Sequence, residues 1–163
     1  MKKILVVFLF MVLVFPCSIS IVRGQEVATP AQDYSRSVVR EVLASGHPGD
    51  AEGRVLELVR YTIPAGASLP PHIHPGMQIE RVEFGVLTYC VVKGSAKMTR
   101  ADGTEEEIQA GQATILRVGD SLTEPGGMVH YGKNESASPT ILLSAALFDE
   151  KKPKAILMSP ANP

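Results

Sequence analysis

Turn-forming residues recur along this chain at intervals too short for long helices, and that spacing constrains its fold more than any other feature. Its 14 glycines and 12 prolines gather in clusters such as Gly46-His47-Pro48-Gly49, Pro64-Ala65-Gly66, Pro75-Gly76, Ala101-Asp102-Gly103 and Gly119-Asp120. No long stretch between them holds a 3.6-residue apolar period. The intervening segments instead read as strands at 37–43, 54–63, 95–100, 104–109, 113–118, 128–131 and 140–148, with a longer β-rich run over 78–92. Residues 54–63 (RVLELVRYTI) alternate as a half-buried strand should. Short strands at this spacing predict an all-β sandwich or barrel.

The first 24 residues stand apart. Met1-Lys2-Lys3 is a basic start, and Ile4 to Phe15 is an unbroken apolar run followed by small and polar residues. That order is a secretory signal peptide, cut after Gly24 or after Ser20. The run falls short of the roughly 20 apolar residues that span a bilayer. The reading is therefore an exported protein, periplasmic or secreted, without a stable membrane anchor. Residues 25–35 read as a loose arm, 36–149 as the barrel domain and 150–163 as an exposed tail. Removal of 1–24 takes Lys2, Lys3 and Arg23 but no acidic residue, so the remainder is more acidic than the whole chain's net charge of −1. No basic excess is available for phosphate contacts, which excludes a nucleic-acid binder. Only Cys90 of the two cysteines lies beyond the leader, so an intrachain disulfide is excluded as well.

Chemistry concentrates in histidine. His72 and His74 flank Ile73, and residues two apart on a strand point to one face. Two neutral imidazoles converging on a barrel interior are ready metal ligands. Around them the sequence reads Gly66, five residues, His72-x-His74, three residues, Gln78, six residues, Gly85. Further on it reads Gly119, five residues, Pro125-x-Gly127, two residues, His130, three residues, Asn134.

These two patterns resemble the signature motifs of the cupin superfamily, G-x5-HxH-x3–4-E-x6-G and G-x5-PxG-x2-H-x3-N. The second is matched at every stated position; the first departs only where Gln78 stands in place of glutamate. The resemblance implies a double-stranded β-helix, a small jelly-roll barrel holding one divalent ion (Fe, Mn, Zn or Ni) through His72, His74, Gln78 and His130. An amide oxygen carries no charge, so three histidines and Gln78 leave the site near +2, where a glutamate would leave about +1. Glu80, two residues beyond Gln78 and on the same face, is the alternative ligand or an acid–base group. A third possibility is three histidines with water alone.

Other residues read as structural. His47 belongs to a turn, Arg81 and Tyr131 have outward parity, Met128 points inward to line the pocket, and Cys90 is a small buried apolar residue. The long segment between the motifs forms an extra hairpin around Ala101-Asp102-Gly103 that covers the barrel or extends a homodimer sheet. Two functions stay open. One is a metal-dependent enzyme, of dioxygenase, isomerase or lyase type, acting on a small organic substrate. The other is a non-catalytic domain that binds a metal or a small ligand. A storage role suits a small exported chain poorly.

Overall fold

A computed structural model describes residues 38–158. The leader and the arm, 1–24 and 25–35, lie outside the described residues. Twelve strands and no helix occur among those described: β1 (Val39–Gly46), β2 (Arg54–Ile63), β3 (His72–Ile73), β4 (Gly76–Phe84), β5 (Val86–Lys93), β6 (Ser95–Thr99), β7 (Glu105–Gln109), β8 (Ala113–Arg117), β9 (Ser121–Glu124), β10 (Val129–Lys133), β11 (Thr140–Asp149) and β12 (Ile156–Leu157). They form two antiparallel sheets. One has the order β1-β2-β11-β4-β9-β6-β7; the other runs β12-β3-β10-β5-β8. This is the double-stranded β-helix that the motifs imply.

Alternation builds the core. Along β4, Gln78, Glu80 and Val82 are buried while Met77, Ile79 and Glu83 are exposed. Val82, Met98, Leu122 and Leu142 from the larger sheet meet Leu87, Tyr89, Val91 and Leu116 from the smaller. The larger sheet's outer face keeps Leu56, Leu58, Met77 and Ile79 exposed.

Three expectations change. The β-rich run over 78–92 is two strands in different sheets, because the chain turns a corner at Gly85 with φ of 80°. A Cβ there would stand 2.5 Å from the Pro139 carbonyl oxygen, so only glycine fits. Strand β9 is the second change, since Ser-Leu-Thr-Glu between two turn signals lacks the β-branched and aromatic content of a recognisable strand. The third concerns the tail over 150–163: its described residues are mostly exposed, as expected, but part of it is paired to the barrel. Lys151, Lys152 and Pro153 are exposed, but Ile156 and Leu157 pair with Ile73 and His72, and the Met158 amide donates to the Pro71 carbonyl at 2.8 Å. Backbone hydrogen bonds thus tie the chain to the barrel past residue 149, to at least 158. The hairpin around Ala101-Asp102-Gly103 is present as β6 and β7, at the edge of the larger sheet.

Candidate metal centre

The short strand β3 and the longer β10 bring the histidines together. His130 and His72 are register partners across that ladder, and His74 follows one alternation later. Donor nitrogens of His72, His74 and His130 lie within 4.8 Å of one another, and all three side chains are buried. Ring centroids are 4.3–5.2 Å apart. Behind the cluster, the His74 ring stacks on Phe148 at 5.3 Å.

Two of the imidazoles are fixed by backbone carbonyls. Nδ1 of His72 lies 2.8 Å from the Pro70 oxygen, and Nδ1 of His74 lies 2.7 Å from the Lys154 oxygen. A carbonyl only accepts, so each Nδ1 carries the proton and each Nε2 keeps its lone pair. Backbone support of this kind orients histidine ligands. Burial, reinforced by His130 and His74, lowers the His72 pKa to about 4. Burial also lowers His74. Both rings are therefore neutral at pH 7, the form that binds metal.

Gln78 reaches the cluster from β4. Its Nε2 lies 3.4 Å from Nε2 of His74 and donates to Glu80 Oε2 at 3.0 Å and Glu124 Oε2 at 2.9 Å. Its Oε1 is buried without a partner, as is Nδ1 of His130. Unpartnered buried polar atoms beside three clustered imidazoles fit a site built for an ion. Glu80 also accepts from the Ser144 hydroxyl at 3.2 Å. Burial, then the charge of Glu124, pushes its carboxyl well above the usual range.

Glu124 is the site residue that the sequence reasoning missed. It sits on β9 opposite Gln78 and is 2% exposed. Tyr89 donates its hydroxyl to Glu124 Oε1 at 2.6 Å. The same oxygen lies 3.4 Å from His130 Nε2, and Oε2 lies 3.8 Å from His74 Nε2. Burial raises the pKa of this carboxyl, but His130, His74 and the Tyr89 hydroxyl outweigh it and hold the group below the ordinary value. Its signal was faint: it has the parity of buried Leu122 and precedes Pro125 of the second motif.

A cavity of about 450 Å³ opens beside the histidines. Its wall is mostly apolar, with Ile63, Leu69, Leu87, Leu142 and Leu157, and its polar groups include Gln78, Glu80 and Tyr89. Arg40 and Lys154 also line it. Arg40 is held by Glu57 at 2.6 Å and by the Tyr61 hydroxyl at 3.2 Å. Met128 is buried, yet it packs beside Gly94 in the core and not on the cavity wall. A bulge between Val129 and His130 breaks the alternation that pointed Met128 at the pocket. His47 is exposed beside Glu150, Cys90 is buried, and Arg81 and Tyr131 do not line the cavity.

The Cupin domain family matches residues 59–146, more than half of the chain. This protein belongs to the cupin family. Among solved structures it is similar to a cupin 2 domain-containing protein from Halorhodospira halophila, at 12% identity and a TM-score of 0.51 over 84% of this chain and 81% of that one. A cupin 2 conserved barrel domain protein from Leptotrichia buccalis is 23% identical with a TM-score of 0.45. That match covers 67% of this cupin but only 40% of the Leptotrichia chain. A salicylate 1,2-dioxygenase from Pseudaminobacter salicylatoxidans matches at 14% identity and a TM-score of 0.45, over 70% of this chain and 26% of its own. Among curated proteins none matches. At these identities the likeness is one of fold.

Proposed function

We propose that this cupin binds one divalent metal ion through His72, His74 and His130 and uses the adjoining cavity to take a small organic molecule with an apolar body. The observation that carries the reading is the meeting of three buried imidazoles, two of them locked with Nε2 unprotonated, beside a mostly apolar cavity. A bound ion would supply Lewis acidity toward the cavity. The chain's own groups do the rest. Leucine and isoleucine side chains exclude water and hold the apolar body. Glu80, on the cavity wall with its carboxyl pKa pushed up by burial, is positioned to give a proton to a bound molecule and take it back. Arg40, braced by Glu57 and Tyr61, presents positive charge to a polar end of the ligand.

Metal-dependent turnover, of oxygenase type or another, is the finer reading, and export behind a leader at 1–24 is proposed alongside it. The test is metal-dependent turnover of small aromatic and aliphatic acids by the full chain loaded with Fe(II) or Mn(II). Glu80→Gln should bind a ligand as the wild type does and lose turnover. Ligand binding without any turnover would instead mark a binding domain.

A further inference from the structure

Within this reading of the three histidines as metal ligands, the fourth protein donor stays open. Gln78 stands where the family motif has its glutamate, so the strand carrying the first motif offers an amide where a carboxylate is usual. The carboxylate has not vanished from the site. It enters from the neighbouring strand, because Gln78 on β4 and Glu124 on β9 are register partners.

We infer that Glu124 is the fourth protein ligand of the ion and that Gln78 holds it in place. Three observations support this. First, the Glu124 oxygens lie 3.4 Å from His130 Nε2 and 3.8 Å from His74 Nε2. Donors bonded to one ion at about 2.0–2.2 Å stand roughly 3–3.6 Å from each other in octahedral or tetrahedral arrangements, so each oxygen is near ligand spacing from one histidine. Glu124 does not share the 4.8 Å cluster of His72, His74 and His130, so its carboxylate must shift toward them to complete the shell. Second, each oxygen receives one hydrogen bond, from Tyr89 to Oε1 and from Gln78 to Oε2. A carboxylate oxygen has two lone-pair directions, so each keeps one to offer an ion. Third, the competing carboxylate is engaged elsewhere: Glu80 Oε2 accepts from Gln78 and Ser144, and neither of its oxygens is paired with a histidine.

The consequence is electrostatic. A histidine-and-glutamate shell has a net charge near +1, where the amide reading gives +2. The chain would thus recover the usual charge of a cupin centre with its carboxylate moved one strand across the sheet. The two amide hydrogens of Gln78 bridge Glu124 and Glu80, which makes Gln78 a positioning residue.

The test is Zn(II) binding by the full chain, measured by competition with a chromophoric chelator, together with the anomalous-scattering structure of the Zn(II)-loaded wild type. Glu124→Gln should weaken Zn(II) binding by more than 100-fold, beyond the 10- to 100-fold typical of residues that only support a ligand. Glu80→Gln should stay within about threefold of the wild type. The loaded structure should show a Glu124 oxygen at about 2.0–2.2 Å from zinc. A loss of less than 100-fold, or an ion held by Gln78 Oε1 or water in place of Glu124, overturns the assignment. If Glu124→Gln does not fold, the loaded wild-type structure decides alone. His130→Ala separates this from the underlying reading. Weakened binding there with unchanged binding in Glu124→Gln removes the Glu124 assignment only. Unchanged binding in both removes the metal centre itself.

Discussion

His72 and His130 face each other across the β3–β10 ladder as direct partners, with ring centroids 4.3 Å apart. Residues 58 positions apart in the chain therefore meet only when the smaller sheet has formed. A metal bound by both would bind the folded chain and not the unfolded one. At an ion concentration 100 times Kd, the stabilisation is about 2.7 kcal/mol. For a domain of this size that is a midpoint shift of about 5–10 °C. Calorimetry with and without chelator measures it, and an equal midpoint in metal-loaded and stripped protein contradicts it.

Without metal, acid should destabilise the fold through His72. Burial and the neighbouring histidines put its pKa near 4, against 6.5 for an ordinary histidine. Below pH 6.5 the unfolded chain takes up a proton that the folded chain refuses. This contribution is therefore complete above pH 6.5 and is lost as pH falls from 6.5 to 4, reaching roughly 3 kcal/mol at the lower end. Urea denaturation of the metal-free wild type and His72→Gln at pH 7.5, 5.5 and 4 isolates it. Parallel pH dependence in the two proteins would contradict the assignment.

Deleting residues 151–163 should loosen the metal centre although no ligand is removed. The deletion takes away the Lys154 carbonyl that holds His74 Nδ1 at 2.7 Å and the β12 pairing that covers His72. A 10- to 100-fold loss of metal affinity is the expected size for such support. Lys154→Ala keeps the carbonyl and should bind metal like the wild type. If it falls as far as the deletion, the side chain and not the backbone is what matters.

Asn134 closes the second motif without touching the site. It is fully buried, its Nδ2 lies within hydrogen-bond reach of the Ile63, Pro64 and Ser138 carbonyls, and its Oδ1 accepts from Ser136. Asn134→Asp replaces the donor with an acceptor facing three acceptors. It should cost about 2–4 kcal/mol of stability, while any protein that folds keeps its metal stoichiometry. A variant as stable as the wild type would show that this knot contributes nothing.

The sequence made the barrel and its histidines legible for a simple reason: strand parity and the turn residues are local. The bounds of β2 agree with the sequence reading at both ends because its alternation is uninterrupted. What local pattern could not show was set by register and by backbone. Glu124 looks like a loop acid until β9 is laid beside β4. Lys154 looks like part of a charged tail, yet its carbonyl, which no side-chain pattern reveals, orients His74. Gly85 fitted the motif, but its role as the corner between two sheets depends on the nearness of Pro139.

The most direct measurement of the central claim is elemental analysis of the full chain and its His130→Ala variant, each purified from its own compartment without added metal. About one divalent ion per wild-type chain is expected, as for a single three-histidine site, with a near-complete loss in the variant. A wild type free of metal, or a variant that retains it in full, would contradict the three-histidine centre.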